Sequence, residues 1–96
     1  MGIDNNEYYF TYHPAVLKVD IPKLDKVILV RIRVSIERKL GSNPVMYGLL
    51  LRGGLGGYWK LRIGDYRVVY KVIKTEIRIL AIGHRSDVYE MVARRI

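Results

Sequence analysis

One stretch of this 96-residue chain limits its folds more than any other: LRGGLGGYWKLRIGDYRVVYKVIKTEIRILAIGHRSDVY, from Leu51 to Tyr89. Apolar and polar residues alternate along it, and β-branched and aromatic side chains are frequent. That is the pattern of strands with one buried face. Three strands are predicted: Tyr58 to Ile63, Tyr66 to Ile73 and Glu76 to Ile82. Gly64-Asp65 and Lys74-Thr75 are short enough to be hairpin turns between them. Tyr58, Lys60 and Arg62 then share one face of the first strand, and Trp59, Leu61 and Ile63 the other. Lys60, Arg62 and Arg67 can share a sheet face, with Arg85 just beyond the last strand and Tyr89 shortly after. Acids do not match these cations, and an unmatched basic face suits a polyanion.

The N-terminal half supplies the layer that covers such a sheet. Met1 to Glu7 reads as a loose terminus. Tyr8 to Tyr12 (YYFTY) is aromatic and reads as a first strand. His13-Pro14 ends it and opens a short helix over Ala15 to about Ile21, which Pro22 breaks. Asp25 to Leu40 carries two signals. VRIRVSI alternates like a strand, yet Leu29, Ile32, Ile36 and Leu40 fall at helical spacing. Asp25 suits a helix start, Arg38 and Lys39 its last turn, and Gly41 the position after its end, so the capped length favours helix. Ser42 to Pro44 reads as a loop, and Asp87 to Arg95 as a final short helix. The expected order is β-α-α-β-β-β-α over residues 1–96. This is a single α+β domain: an antiparallel sheet, two N-terminal helices packed on one side, and a short C-terminal helix.

Charge narrows the class of partner. Seventeen Lys and Arg face nine Asp and Glu, a net charge of +8. The balance calls for nucleic acid, an anionic membrane or an acidic protein. Half of the residues are hydrophobic, which argues against intrinsic disorder. The absence of cysteine excludes disulfides and thiolate chemistry and fits a reducing cytoplasm, the expected location. Asp4, Asn5, Asn6 and Glu7 stand where a secretory leader would be basic and then apolar. No apolar run is long enough to span a bilayer, so no membrane partner is expected.

Most catalytic arrangements find no support. Gly53, Gly54, Gly56 and Gly57 lack the Lys and Ser or Thr of a phosphate-binding loop and read as a turn. His13 and His84 are far apart and accompany no carboxylate cluster, so neither a metal nor any other cofactor is expected. Ser86, His84 and Asp87 are near-neighbours in sequence and a poor triad. The cations are better placed. RNA carries its own nucleophile, the 2′-hydroxyl, and cleavage needs a proton acceptor, positive charge on the phosphate and a donor to the leaving 5′-oxygen. Guanidinium groups stabilise the phosphate through paired N–H donors. Lysine is a poor base at its free pKa of about 10.4, but neighbouring cations lower it. His84 is an alternative proton carrier. The residues alone leave two readings open: catalysis, or simple binding of phosphate or an acidic partner.

From YYFTYHPAVLK through VYEMVARRI, the chain resembles the RelE/ParE superfamily of toxins from type II toxin–antitoxin modules, with the RelE branch nearest. LRGGLGGYWKLRIGDYRVVYKV and IGHRSDVYE are the most specific parts. The resemblance favours helix for Asp25 to Leu40. It implies a messenger RNA interferase that cuts translated messages in the ribosomal A site without metal, leaving a 2′,3′-cyclic phosphate and a 5′-hydroxyl. It implies as catalytic residues Lys60 as base, Arg67 on the phosphate, Arg85 as acid or charge stabiliser, and Tyr89 stacking on the nucleotide. It places Arg52 near the RNA path, and Arg62 joins it as an RNA-binding residue. Tyr58 and His84 stand where the best-known RelE members have lysines, and both are candidate catalytic or RNA-contacting residues. The implied partners are the ribosome, messenger RNA and an acidic RelB-like antitoxin. That antitoxin would carry operator-DNA binding by the complex, and it would compete for Val88, Met91 and Val92 of the last helix. The alternatives are a ParE-like, non-nuclease inhibitor of DNA gyrase, or a catalytically weak toxin acting mainly as corepressor with its antitoxin.

Overall fold

The computed structural model describes residues 7–51 and 56–96. Five strands form one sheet: β1 (Tyr9–Tyr12), β2 (Leu49–Leu50), β3 (Tyr58–Ile63), β4 (Tyr66–Ile73) and β5 (Glu76–His84). Their spatial order is β1-β5-β4-β3-β2. The pairs β3–β4 and β4–β5 are antiparallel, as expected, and so is β2–β3, whose strand β2 was not expected. β1 pairs with β5 in parallel, Tyr9 opposite Glu76 and Tyr12 opposite Ile79. A parallel neighbour needs a long crossover, and the N-terminal helices and the hairpins lie within that connection.

The predicted bounds of β3 and β4 match the observed ones, while β5 runs on to His84. Both hairpin turns have a residue with positive φ: Gly64 at +59° and Lys74 at +58°. Two-residue hairpin turns need such conformations to match the strands' twist. β5 also contains an irregularity. Val69 pairs with Ala81 but Tyr70 with Ile79, so Leu80 is an extra residue. Such a bulge changes the phase of alternation. Ile77 and Ile79 face the helical layer before it and Ile82 after it, whereas Leu80 and Ala81 both belong to the opposite cluster.

The first helical segment widens to i→i+5 geometry over Val16–Asp20 and tightens through Ile21–Lys23, where Pro22 ends it. α1 (Lys26–Ser35) begins at Asp25, whose Oδ1 accepts from the Ile28 N–H at 3.0 Å. It continues as wide turns through Ile36–Leu40 to Gly41. Gly41 is needed for close approach, not for a left-handed turn: its φ is −64°, and a Cβ there would strike the Glu37 carbonyl oxygen. Ile32, Ile36 and Leu40 are buried against Leu61, Ile63, Val68, Tyr70, Ile77, Ile79 and Ile82, and Val16 completes this core.

After Gly41 the loop expected over Ser42 to Pro44 gives way at Pro44 to a helical turn, and a strand follows that was not expected. α2 (Pro44–Tyr47) is one turn long, started by Asn43, whose Oδ1 accepts from the Met46 N–H at 3.1 Å. The fully buried Tyr70 hydroxyl donates to the Pro44 carbonyl at 2.6 Å and holds that turn on the sheet. β2 follows and forms the sheet's edge.

α3 (Val88–Arg95) crosses the other face of the sheet. Val88 and Val92 are fully buried with Leu51, Val69, Leu80 and Ala81. Met91 packs so close to Gly83 that a Cβ there would come within 2.9 Å of its Sδ. Small residues at 81 and 83 therefore let the helix lie down on β5.

Candidate functional site

The cross-strand register arranges the exposed side of the sheet in rows. Arg62, Arg67 and Gly83 form one row; Lys60, Val69 and Ala81 the next; Tyr58, Lys71 and Arg78 the third. The expected sharing of a face by Lys60, Arg62 and Arg67 is therefore met. α3 covers Ala81 and Gly83 of this face and leaves the part over β3 open.

Lys60 and Tyr89 come together although 29 residues separate their numbers. Burial of Val88 sets the helix rotation, and Tyr89, the next residue, is half-buried against the cluster beneath α3. Its ring lies 5.6 Å from the Lys60 ammonium, within cation–π range.

Arg67 is fixed from the hairpin. Its Nη1 donates to the carbonyls of Gly64, at 3.0 Å, and Tyr66, at 2.9 Å. The rest of the guanidinium fork remains for an anion. Arg85 is exposed, and its backbone N–H donates to the Asp65 carbonyl at 2.8 Å, which ties it to that same hairpin turn. Arg62 is exposed opposite Arg67. Arg52, Gly53 and Gly54 lie outside the described residues.

His84 stands apart from this group. It pairs with Tyr66, which packs on the helical core, so strand alternation directs His84 away from the side carrying Arg67 and Gly83. Its ring meets Tyr66 edge-on with centroids 5.7 Å apart, and its Nδ1 is 2.8 Å from the Ser86 Oγ. Ser86 in turn donates to Asp87 at 3.2 Å. The structure thus links Ser86, His84 and Asp87 as a local turn beside α3, on the other side of the strand from Lys60.

Among the described residues, ion pairs join Arg78 to Glu76, Arg94 to Glu90 and Arg95 to Asp20. None of these acids engages Lys60, Arg62, Arg67, Lys71 or Arg85. The open face therefore keeps an unneutralised positive field, the condition for holding a polyanion. Among the described residues, no three His, Cys, Asp or Glu side chains gather as a metal site would require.

The pair beneath this arrangement was not expected from sequence. Asp20 is buried and accepts two bonds from Arg95, Nη1 to Oδ2 and Nη2 to Oδ1, each 2.7 Å. Asp20 Oδ2 also accepts from the Ile82 N–H at 2.9 Å, and Arg95 Nη1 donates to the Leu80 carbonyl at 3.0 Å. β1 ends before this part of β5, so the ion pair satisfies edge groups that lack a strand partner. The hydrogen bond to Asp20 pushes the Arg95 guanidinium further toward its charged form. This bond secures the far end of the helix that carries Tyr89.

Comparison with known proteins identifies the fold and the family. Residues 35–89 match the family described as ParE toxin of type II toxin-antitoxin system, parDE. The chain is 33% identical over 72 residues to toxin RelG of Mycobacterium tuberculosis, covering 73% of this chain and 83% of that protein. The toxin–antitoxin complex RelBE2 of M. tuberculosis has a chain that superposes with a TM-score of 0.75 at 28% identity, over 82% of this chain and 99% of that one. A mutant E. coli RelE toxin in the free state shares the fold, with a TM-score of 0.72 at 23% identity, over 94% of this chain and 98% of that one. A mainly antiparallel sheet with N-terminal helices and a short C-terminal helix is thus the fold of a class of toxins from toxin–antitoxin systems. The chain belongs to the RelE/ParE superfamily of toxins from type II toxin–antitoxin systems.

Proposed function

We propose that the chain is a RelE-like, metal-independent endoribonuclease that cleaves translated messenger RNA in the ribosomal A site. The observation that carries this reading is the assembly of Lys60, Arg67 and Tyr89 from three elements on one open basic face. Simple polyanion binding requires positive charge; it does not require one lysine beside an aromatic ring and an arginine anchored by two carbonyls.

The proposed step uses the RNA's own nucleophile. Lys60, in its neutral form, accepts the 2′-hydroxyl proton, and the 2′-oxygen attacks the adjacent phosphorus. The bond from phosphorus to the 5′-oxygen breaks as the new one forms. Arg67 holds the phosphoryl oxygens through its remaining N–H donors. Arg85 serves the leaving 5′-oxygen, as proton donor or as positive charge. Tyr89 stacks on a base and orients the nucleotide. The products carry a 2′,3′-cyclic phosphate and a 5′-hydroxyl. Tyr58, Arg62 and Arg52 extend the RNA path.

Neutralisation by an acidic, RelB-like antitoxin belongs to the same reading. The net charge of +8 gives such a partner its electrostatic attraction. Val88 and Val92 are fully buried under α3, so an antitoxin segment competing for that cluster must replace them and carry Tyr89 away from Lys60.

The family match over residues 35–89 also favours a second reading, inhibition of DNA gyrase without cleavage. Incubating the purified protein with ribosomes carrying a defined message separates the two. The nuclease reading expects cuts within the A-site codon with cyclic phosphate ends. Intact message together with inhibited gyrase supercoiling supports the second reading.

A further inference from the structure

Lys71 repeats, one row away, the relation that joins Lys60 to Tyr89. Its ammonium lies 5.3 Å from the centre of the Tyr58 ring. Tyr58 and Lys71 are directly opposite in register, so the ring and the charge come from neighbouring strands on the open face. The lysine stem is held against Gly57, whose φ is +84° and where an added Cβ would contact the Lys71 Cε at 3.6 Å. Tyr58 is itself half-buried against the cluster beneath α3, which fixes its ring. Arg78 continues the row, but Glu76 neutralises it at 3.0 Å. No ion pair among the described residues takes the Lys71 charge.

The geometry points to a second nucleotide subsite at Tyr58 and Lys71, in which the ring stacks a base and the ammonium holds the phosphate next to the scissile one. Lys60 and Lys71 lie diagonally across adjacent strands, roughly 7–8 Å apart at their Cα atoms by ordinary sheet geometry. That spacing suits successive phosphates of a single strand. A ring paired with a cation in each of two rows is the form that single-strand grooves take: stacking platforms along a positive track. A tyrosine brings no positive charge to position 58, and Lys71 supplies it from across the ladder. A single RNA strand uses the charge and the stacking ring together, so the pair favours RNA. The inference rests on the nuclease reading of the face, and it assigns Lys71 to binding the strand, not to the chemical step.

The test is fluorescence titration of the purified protein with a short, single-stranded 2′-O-methyl oligoribonucleotide, which cannot be cleaved, over a series of salt concentrations. Lys71→Gln should weaken binding and reduce the slope of log K against log salt by about 0.7, one phosphate contact. Lys71→Arg should restore both. Tyr58→Leu should weaken binding roughly five- to 100-fold, as loss of one stacked base does, with the slope unchanged. Lys18→Gln, an exposed cation in the first helical segment, should change neither quantity beyond a general effect. If Lys71→Gln behaves as Lys18→Gln does, the subsite is overturned while RNA binding by the face stands. If Lys71→Gln instead weakens only the binding of polyglutamate, the pair belongs to an acidic protein contact and the inference fails. If the wild-type protein does not bind the strand, the RNA reading of the face falls, and the subsite with it.

Discussion

The Lys60 ammonium lies 5.6 Å from the centre of the Tyr89 ring, and this contact links the middle of β3 to the first turn of α3. Neither residue is positioned by its own strand or helix alone. Lys60 faces outward because Leu61 and Trp59 face the helical core, and Tyr89 reaches it because Val88 and Val92 are buried. The site therefore depends on α3 staying seated.

Replacing either partner separates chemistry from placement. Lys60→Met removes the proposed proton acceptor and should slow single-turnover cleavage by ~10²–10⁴, the usual value of general base catalysis. Tyr89→Phe keeps the ring and should retain most activity, whereas Tyr89→Ala should lose it. Rapid-quench assays on programmed ribosomes measure both. Equal loss in Phe and Ala variants would assign the role to the hydroxyl instead of the ring.

Arg67 and Arg85 should act on the transition state more than on docking. Removing one preorganised charge donor commonly costs ~10²–10³ in rate. Arg67→Ala and Arg85→Ala should each lose cleavage while cosedimenting with ribosomes as the wild type does. Parallel loss of ribosome affinity would make that arginine a docking residue.

His84→Gln should leave the cleavage rate and its pH profile unchanged, because the ring is engaged with Tyr66 and Ser86 on the other side of β5. Rates measured across neutral pH test this. Loss of an inflection in the variant would return His84 to the role of proton carrier.

The Asp20–Arg95 pair should matter for stability out of proportion to its distance from the site. Arg95→Ala leaves a buried carboxylate without its partner, and breaking a buried pair costs about 3–5 kcal/mol. Chemical denaturation of the Arg95→Ala variant beside the wild type should show this loss. Because Arg95 anchors the end of α3, hydrogen exchange in Val88–Arg95 should also rise. A shift of under 1 kcal/mol would show that the pair is dispensable.

The local elements were legible because their signals are local. Alternation and two short turns defined β3 and β4, and Asp25 with Leu29, Ile32, Ile36 and Leu40 defined the long helix. The shared face of Lys60, Arg62 and Arg67 followed from strand period alone. What escaped depends on contacts between distant residues or on a break in period. The parallel pairing of β1 with β5 leaves no mark in either strand. The extra residue at Leu80 shifts the phase of β5, so Ile82 and His84 face the helical layer although plain alternation from Ile77 would direct them away from it. α2 did carry a signal, Asn43 followed by Pro44, which is a cap before a first-turn proline. Asp20 meets Arg95 across 75 positions, and Lys71 meets Tyr58 only once register is known.

The proposed activity of this toxin is cleavage of translated messenger RNA. Primer extension on a translated message after brief induction of the protein tests it most directly, with the Arg67→Ala variant induced in parallel. New 5′ ends should appear inside translated codons and be absent from the variant and from an untranslated copy of the same message. Intact messages in the presence of trapped gyrase–DNA complexes would contradict it.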